Sequence, residues 1–516
     1  MNDLFGGFPN STPLSDRDVQ LLDTTLRDGE QAPGISLAPA EKAEIAAALD
    51  AAGVDVIEAG SACTGEGERE TIRKVTDLGL DARITSFARG VESDIDAALD
   101  CDVDGIGLVV PASDRHVEGK VGSTREEVVE TTADLVAYAR DHGLWVEVLG
   151  EDGSRADLDF LETLMESALD AGADRVCYCD TVGHAGPEHT YEAVSRLSAL
   201  GPTGTHTHDD LGLAVTNALA SIAAGADLVH ATVNGIGERA GNVALEEVAI
   251  ALDHCYGVET AETTQLYDLA RVVADATDVP LAPNKAVVGE NAFAHESGIH
   301  TDGTLKDDRM YEPYPPEKVG RERRLVLGKH TGRAGARATL AEHGVEVADD
   351  DLAAVVARVQ RLAERGKRVT DADLLAIADD VRGRERDRHI QLRELTATSG
   401  GPLPTASVRL DVRGEERVAS GTGDGPVDAA VAAVREAVGS AADATLESYH
   451  VDAITGGTDA VVTVEVEMSR DDRTVTVRSS DGDITRASVT AMVDALDRLL
   501  DQTDSDADLD APVADD

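Results

Sequence analysis

His206 and His208 stand two residues apart in His206-Thr207-His208-Asp209-Asp210, a spacing that on a strand points both imidazoles to one side. Such a pair is half of a metal site. A carboxylate to extend it lies in Asp23-Thr24-Thr25-Leu26-Arg27-Asp28-Gly29-Glu30-Gln31, and an amide in Asn234-Gly235-Ile236-Gly237-Glu238-Arg239-Ala240-Gly241-Asn242. Each block closes a short apolar run. Two imidazoles, the Asp28 carboxylate and the Asn242 amide oxygen, with positions left open, suit a divalent cation that must also accept substrate oxygens. Zn, Mn, Co and Mg are all compatible with these ligand types. A His-x-His alone is more often one buried and one hydrogen-bonded histidine; the other two blocks, at matching strand ends, favour ligation. Beside a cation, Arg27 would hold a developing enolate or alkoxide oxygen, where on an open surface it would be an ordinary ion pair. Glu151, in Gly150-Glu151-Asp152-Gly153-Ser154-Arg155, closes another apolar run and is a candidate acid/base or substrate-orienting group. The third block contains Gly-x-Gly without the dinucleotide-binding spacing. Asn234, Gly235 and Gly237 are therefore read as backbone that a bound cofactor can approach closely.

These groups need a scaffold that aims separated strand ends at one point. Eight apolar, β-branched runs provide it: 19–24, 54–59, 82–87, 105–110, 145–149, 175–179, 203–208 and 228–233. Helix-period segments such as 39–52, 125–142 and 157–171 alternate with them, a pattern that predicts an α/β fold, a closed (β/α)8 TIM barrel over residues 19–280. Ala-Gly-Val-Asp55, Ala-Gly-Ala-Asp174 and Ala-Gly-Ala-Asp227 place glycine where a helix must stop before the next strand. Residues 1–18 read as an N-terminal tail, and 281–385 as helical accessory and linker subdomains that reach over a barrel mouth. A C-terminal α+β domain follows over 386–502, with two strand-strand-helix units (406–412, 416–420, 426–438; then 460–468, 473–479, 488–500). Residues 503–516 are an acidic tail expected to be disordered.

The chain has 516 residues, with 99 acidic against 46 basic side chains and a formal charge of −53. A basic patch for nucleic acid is not expected from this balance. An acidic excess of this size self-repels in dilute buffer and is a device of salt-adapted proteins; at molar salt the screening length falls to roughly 3 Å. Five scattered cysteines suit a reducing cytoplasm rather than a disulfide framework. Cys177 and Cys179 share a strand face and could form a soft metal pair; small buried strand residues are the simpler reading. The first residues lack a signal-peptide pattern and no apolar run reaches membrane-spanning length, so we expect a cytoplasmic protein with no membrane partner.

The three blocks resemble the signatures of the 2-isopropylmalate, (R)-citramalate and homocitrate synthase family, and the likeness extends through Asn291-Ala-Phe-Ala-His-Glu-Ser-Gly-Ile-His300 into the C-terminal domain. The resemblance implies an acyltransferase that condenses acetyl-CoA, as co-substrate, with a 2-oxo acid and then hydrolyses the thioester, in leucine or isoleucine biosynthesis. It implies metal ligation by Asp28, His206, His208 and Asn242, charge stabilisation and substrate binding by Arg27, and proton-transfer roles for Glu151, His300 and Tyr311. It also implies that the C-terminal domain dimerises and binds leucine or isoleucine as feedback inhibitor. Leu149 shares the strand face of Glu151 and is expected to line the substrate pocket, where the isopropylmalate enzymes usually carry a small Ser. Its bulk favours pyruvate, hence citramalate. The same-barrel lyases that cleave 3-hydroxy-3-methylglutaryl-CoA need a cysteine in the loop after the eighth strand, and 234–242 has none. An inert barrel serving an amino-acid sensor would have no use for Arg27, Glu151 and four intact ligand positions.

Overall fold

Short runs buried on both faces can only pair side by side under a covering of helices, and here eight of them close on themselves. In the computed structural model β1 (Gln20–Asp23), β2 (Val56–Glu58), β3 (Arg83–Arg89), β4 (Gly105–Pro111), β5 (Trp145–Glu151), β6 (Arg175–Asp180), β7 (Thr203–Thr207) and β8 (Leu228–Ala231) form a closed parallel barrel in chain order. The expected TIM barrel is therefore present, with strand ends within two residues of those read from the sequence. The structure describes residue 14 and residues 17–364, 369–382, 388–398, 403–439, 444–453, 462–470 and 473–500. Most of the expected N-terminal tail and all of 503–516 lie outside them.

The Ala-Gly-x-Asp repeat has a second purpose beyond ending helices. Asp55 accepts a hydrogen bond from the Leu21 N–H at 2.9 Å, Asp174 from Val146 N–H at 2.8 Å and Asp227 from Thr203 N–H at 3.3 Å. Asp104 does the same for Ile84 N–H at 2.8 Å. Each aspartate thus enters an even-numbered strand and clamps the backbone of the strand before it. Two residues earlier the chain turns through positive φ at Gly53 (+77°), Gly172 (+105°) and Gly225 (+129°), and at Asp102 (54°), where aspartate tolerates the left-handed turn. Leu22, Val56 and Leu228 pack with Trp145 across the lower barrel interior, and the Arg83 guanidinium lies 5.0 Å from the indole ring centre.

The chain divides into two compact units, Met1–Phe293 with Pro313–Arg323, and Ala294–Glu312 with Arg324–Asp516. In the second, helices Arg333–Glu342, Asp349–Glu364 and Asp371–Val381 enclose a small core around Leu340, Leu352, Val355 and Leu374. The C-terminal domain corrects the expected strand-strand-helix repeat. Each unit has three antiparallel strands before its helix: Ile390–Thr398, Thr405–Val412 and Glu415–Thr422 before Pro426–Val438, then Thr445–Ala453, Val462–Arg470 and Arg473–Asp481 before Ile484–Leu500. The added first strands carry polar residues along largely exposed backbone, so their alternation is faint in the sequence.

Candidate functional site

β7, β8 and β1 are neighbours in the barrel, so their C-terminal ends share one stretch of rim. After β1 the Asp28 N–H returns to Thr24 O at 2.8 Å, a tight turn that keeps the Asp28 side chain at the rim, almost wholly buried. His206 Nε2 lies 3.6 Å and His208 Nε2 3.9 Å from Asp28 Oδ2, and the two Nε2 atoms are 3.3 Å apart. One ligand atom from each of the three falls within 4.8 Å of the others. Asn242 completes the group. Its backbone pairs with His208 in an isolated antiparallel bridge, its Nδ2 donates to Asp28 Oδ1 at 2.8 Å, and its Oδ1 is buried without a partner. A Cβ at Gly237, where φ is +156°, would fall 2.1 Å from Asn242 Nδ2 and 3.0 Å from Asp28 Oδ1, so only glycine lets this loop close on the pair.

The electrostatics leave donor lone pairs available. Burial lowers the His206 pKa well below the ordinary histidine value, with the neighbouring His208 adding to the effect, and burial lowers His208 likewise. Burial thus favours the neutral form of both rings. Burial alone would raise Asp28, but the Arg27 guanidinium, His206, His208 and the Asn242 N–H together hold its carboxyl well below the usual carboxylate range. A carboxylate and two imidazoles whose ligand atoms lie within 4.8 Å of one another, with an amide oxygen of the adjoining Asn242 left unpaired, fit a divalent cation.

Arg27 is fixed between two carboxylates: Nη1 donates to Asp28 Oδ2 at 2.7 Å and Nε to Glu58 Oε2 at 2.6 Å. Glu58 ends β2 and also accepts from Thr24 Oγ1 at 2.6 Å, a positioning role that the sequence reading missed although a carboxylate closing an apolar strand signals it. The guanidinium sits 4.6 Å over Phe87, which packs with Leu149, Val109, Cys177 and Cys179 in an apolar patch. Leu149 is thus one ring away from Arg27.

Glu151 ends β5 on the same rim. Both its oxygens accept from Lys120 Nζ, at 2.6 and 2.7 Å, and His116 Nδ1 is 3.1 Å away without hydrogen-bond geometry. Asn234 gives its N–H to Glu246 and its amide to Ala270 O, both at 2.9 Å, and Gly235 follows at φ +68°. His300 and Tyr311 belong to the second unit, where their exposed rings stack with centres 4.3 Å apart.

The curated relatives span nearly the full chain. The putative (R)-citramalate synthase CimA of Methanothermobacter thermautotrophicus is 54% identical over 485 residues, covering 93% of this chain and 98% of that protein. The (R)-citramalate synthase CimA of Methanocaldococcus jannaschii is 48% identical over 488 residues, 93% of this chain and 99% of that protein. This chain belongs to the (R)-citramalate synthase family. Residues 18–273 match the HMGL-like family model, 287–367 the homocitrate synthase post-HMGL domain-like model, and 368–500 the LeuA allosteric (dimerisation) domain. Among solved structures, the HMG-CoA lyase from Brucella melitensis is similar at 21% identity, covering 51% of this chain and 99% of that one, with a TM-score of 0.46.

Behind the site of this family member lies a buried polar network that begins within the Asp23–Gln31 block itself. Asp23 accepts from Thr25 N and Thr25 Oγ1, both at 2.8 Å, and Thr25 Oγ1 accepts from Val233 N at 2.9 Å, joining the loops after β1 and β8. Burial raises the Asp23 pKa to about 7, against the lowering effect of the Thr25 hydrogen bonds. A carboxyl raised by folding stabilises the native state when protonated, and that stability is lost as pH climbs from its unfolded value toward 7. Asp23→Asn is therefore expected to gain stability relative to wild type between pH 5 and 8, by roughly 1–4 kcal/mol. Urea midpoints measured across that range check it; a constant offset between the two proteins contradicts it.

Proposed function

We propose that the protein is an (R)-citramalate synthase that condenses acetyl-CoA with pyruvate and releases CoA by thioester hydrolysis. The observation that carries the choice of acid is the bulk of Leu149, buried in one apolar patch with Phe87 and Val109 while the Phe87 ring lies under the Arg27 guanidinium; that bulk favours the methyl group of pyruvate over a branched chain. The names of the curated relatives support the same acid.

On this reading Asp28, His206, His208 and Asn242 hold a divalent cation, of which Zn, Mn, Co and Mg are the candidates. When bound, it supplies Lewis acidity that polarises the 2-oxo carbonyl. Arg27, held rigid by Asp28 and Glu58, meets the negative oxygen that develops as carbon–carbon bond formation proceeds, at no cost of reorganisation. Glu151 is an acid/base at the rim and must exchange Lys120 for substrate to act. His300 and Tyr311 are the further proton-transfer pair. The Asn234–Gly237 loop is the acetyl-CoA-binding stretch on the sequence reading, and the missing side chains of Gly235 and Gly237 let it close on Ala244, Asn242 and Asp28. Domain limits follow the sequence reading: barrel 19–280, accessory segments 281–385, regulatory domain 386–502. That last domain forms the homodimer and binds isoleucine or leucine as inhibitor, a role supported by its match to the LeuA allosteric (dimerisation) domain.

Thiol release from acetyl-CoA tests the reading: pyruvate is expected to be the preferred acid, and a preference for 2-oxoisovalerate would make the enzyme an isopropylmalate synthase. No thiol with any acid, metal or salt would leave an amino-acid sensor. No helix among the described residues is long and apolar enough to cross a membrane. We place the enzyme in the cytoplasm of a salt-accumulating cell, as the charge of −53 supports. Activity and melting temperature are expected to rise together along a potassium chloride series into the molar range; a stability maximum at low salt would refute the adaptation.

A further inference from the structure

One layer below the rim, Glu147 on β5, Cys177 on β6 and His230 on β8 turn into the barrel interior, all three 2% exposed or less. Their ligand atoms lie within 4.8 Å of one another. Glu147 Oε2 is 2.9 Å and Cys177 Sγ 4.0 Å from His230 Nε2. An isolated hydrogen-bonded pair would account for Glu147 and His230 if the rest of the carboxylate were satisfied. It is not. Glu147 Oε1 is buried with no hydrogen-bond partner among the described residues, a costly state for a carboxylate oxygen. It faces a notch left by the glycine of β7: a Cβ at Gly204 would fall 2.3 Å from Glu147 Oε1 and 3.5 Å from Cys177 Sγ.

We propose that Glu147, Cys177 and His230 form a second cation site, independent of the rim centre and selective for zinc-like divalent ions. The donor set is one carboxylate, one thiol and one imidazole, and the soft sulfur distinguishes it from the oxygen and nitrogen ligands above. Its charge balances: carboxylate and thiolate cancel a divalent ion, the condition for burying one in an apolar interior. Binding breaks the Cys177 S–H bond and sends the proton to solvent; the imidazole proton moves from Nε2 to Nδ1, which is buried and without a hydrogen bond. No oxidation is involved. The His230 ring stands edge-on to His206, centres 5.5 Å apart, so the lower ion would pin β5, β6 and β8 directly behind a rim ligand.

Cobalt(II) is the probe, supplied to cells in minimal medium because the cluster is enclosed. Full-length protein is expected to carry two cobalt ions per chain and to show a near-ultraviolet thiolate-to-cobalt band. Asp28→Ala should keep the band and one ion, whereas Cys177→Ser should lose the band and one ion. His230→Gln, which retains a side chain able to hydrogen-bond Glu147, should lose the band too, and serves if the serine variant does not fold. One cobalt per chain with no band, or a band that survives these last two substitutions, overturns the proposal.

Discussion

Asp28→Ala is expected to lower kcat by at least about 10³-fold, the scale of a lost Lewis acid worth several kcal/mol, and to remove one equivalent of divalent metal. The substitution withdraws the only carboxylate from a group whose other members are two imidazoles and an amide. It need not unfold the barrel, because Arg27 keeps Glu58 at 2.6 Å as its counter-ion. His208→Ala should fall in the same range, since its ring and the Asn242 bridge are parts of one arrangement. Metal content by atomic emission, with thiol release on the same samples, checks both. A variant that keeps its metal and more than a tenth of the activity would take Asp28 out of the ligand set.

Leu149→Ala is expected to raise kcat/KM for 2-oxoisovalerate relative to pyruvate by about 10- to 200-fold, the range of ~1–3 kcal/mol that one apolar pocket residue controls. Leu149 is 4% exposed and touches the Phe87, Val109, Cys177 and Cys179 patch, so removing its branched end opens volume beside Arg27. The same truncation costs the fold on the order of 2–5 kcal/mol, and the ratio of the two acids is the readout that this loss does not move. An unchanged ratio would mean that selectivity is set elsewhere.

The barrel was legible because strands buried on both faces must be apolar throughout, and eight such runs separated by helical periods admit few other arrangements. The rim residues were legible for a related reason: Asp28, His206, His208 and Glu151 interrupt or follow apolar strands, where polar groups have no structural business. Glu147 and His230 escaped because each sits inside a strand pattern, and only the barrel's closure brings β5 and β8 within reach of each other across its interior; Glu58 closes β2 and carries the same strand-end signal as Glu151. The helix Gly298–Lys306 carries two glycines against helical propensity, and strands Ile390–Thr398 and Thr445–Ala453 are too polar to stand out; tertiary packing decides all three.

The aspartate clamps at the bottom of the barrel join strands in pairs, first with second, third with fourth, fifth with sixth, seventh with eighth. The β8–β1 junction is a seam between two such pairs, stitched at the top by the Val233–Thr25 hydrogen bond. Asp28 lies on one side of that seam, His206, His208 and Asn242 on the other. A cation held by all four would add a side-chain fastening at the junction where the first and last strands of the cylinder meet, so loading the enzyme and locking its architecture become the same event.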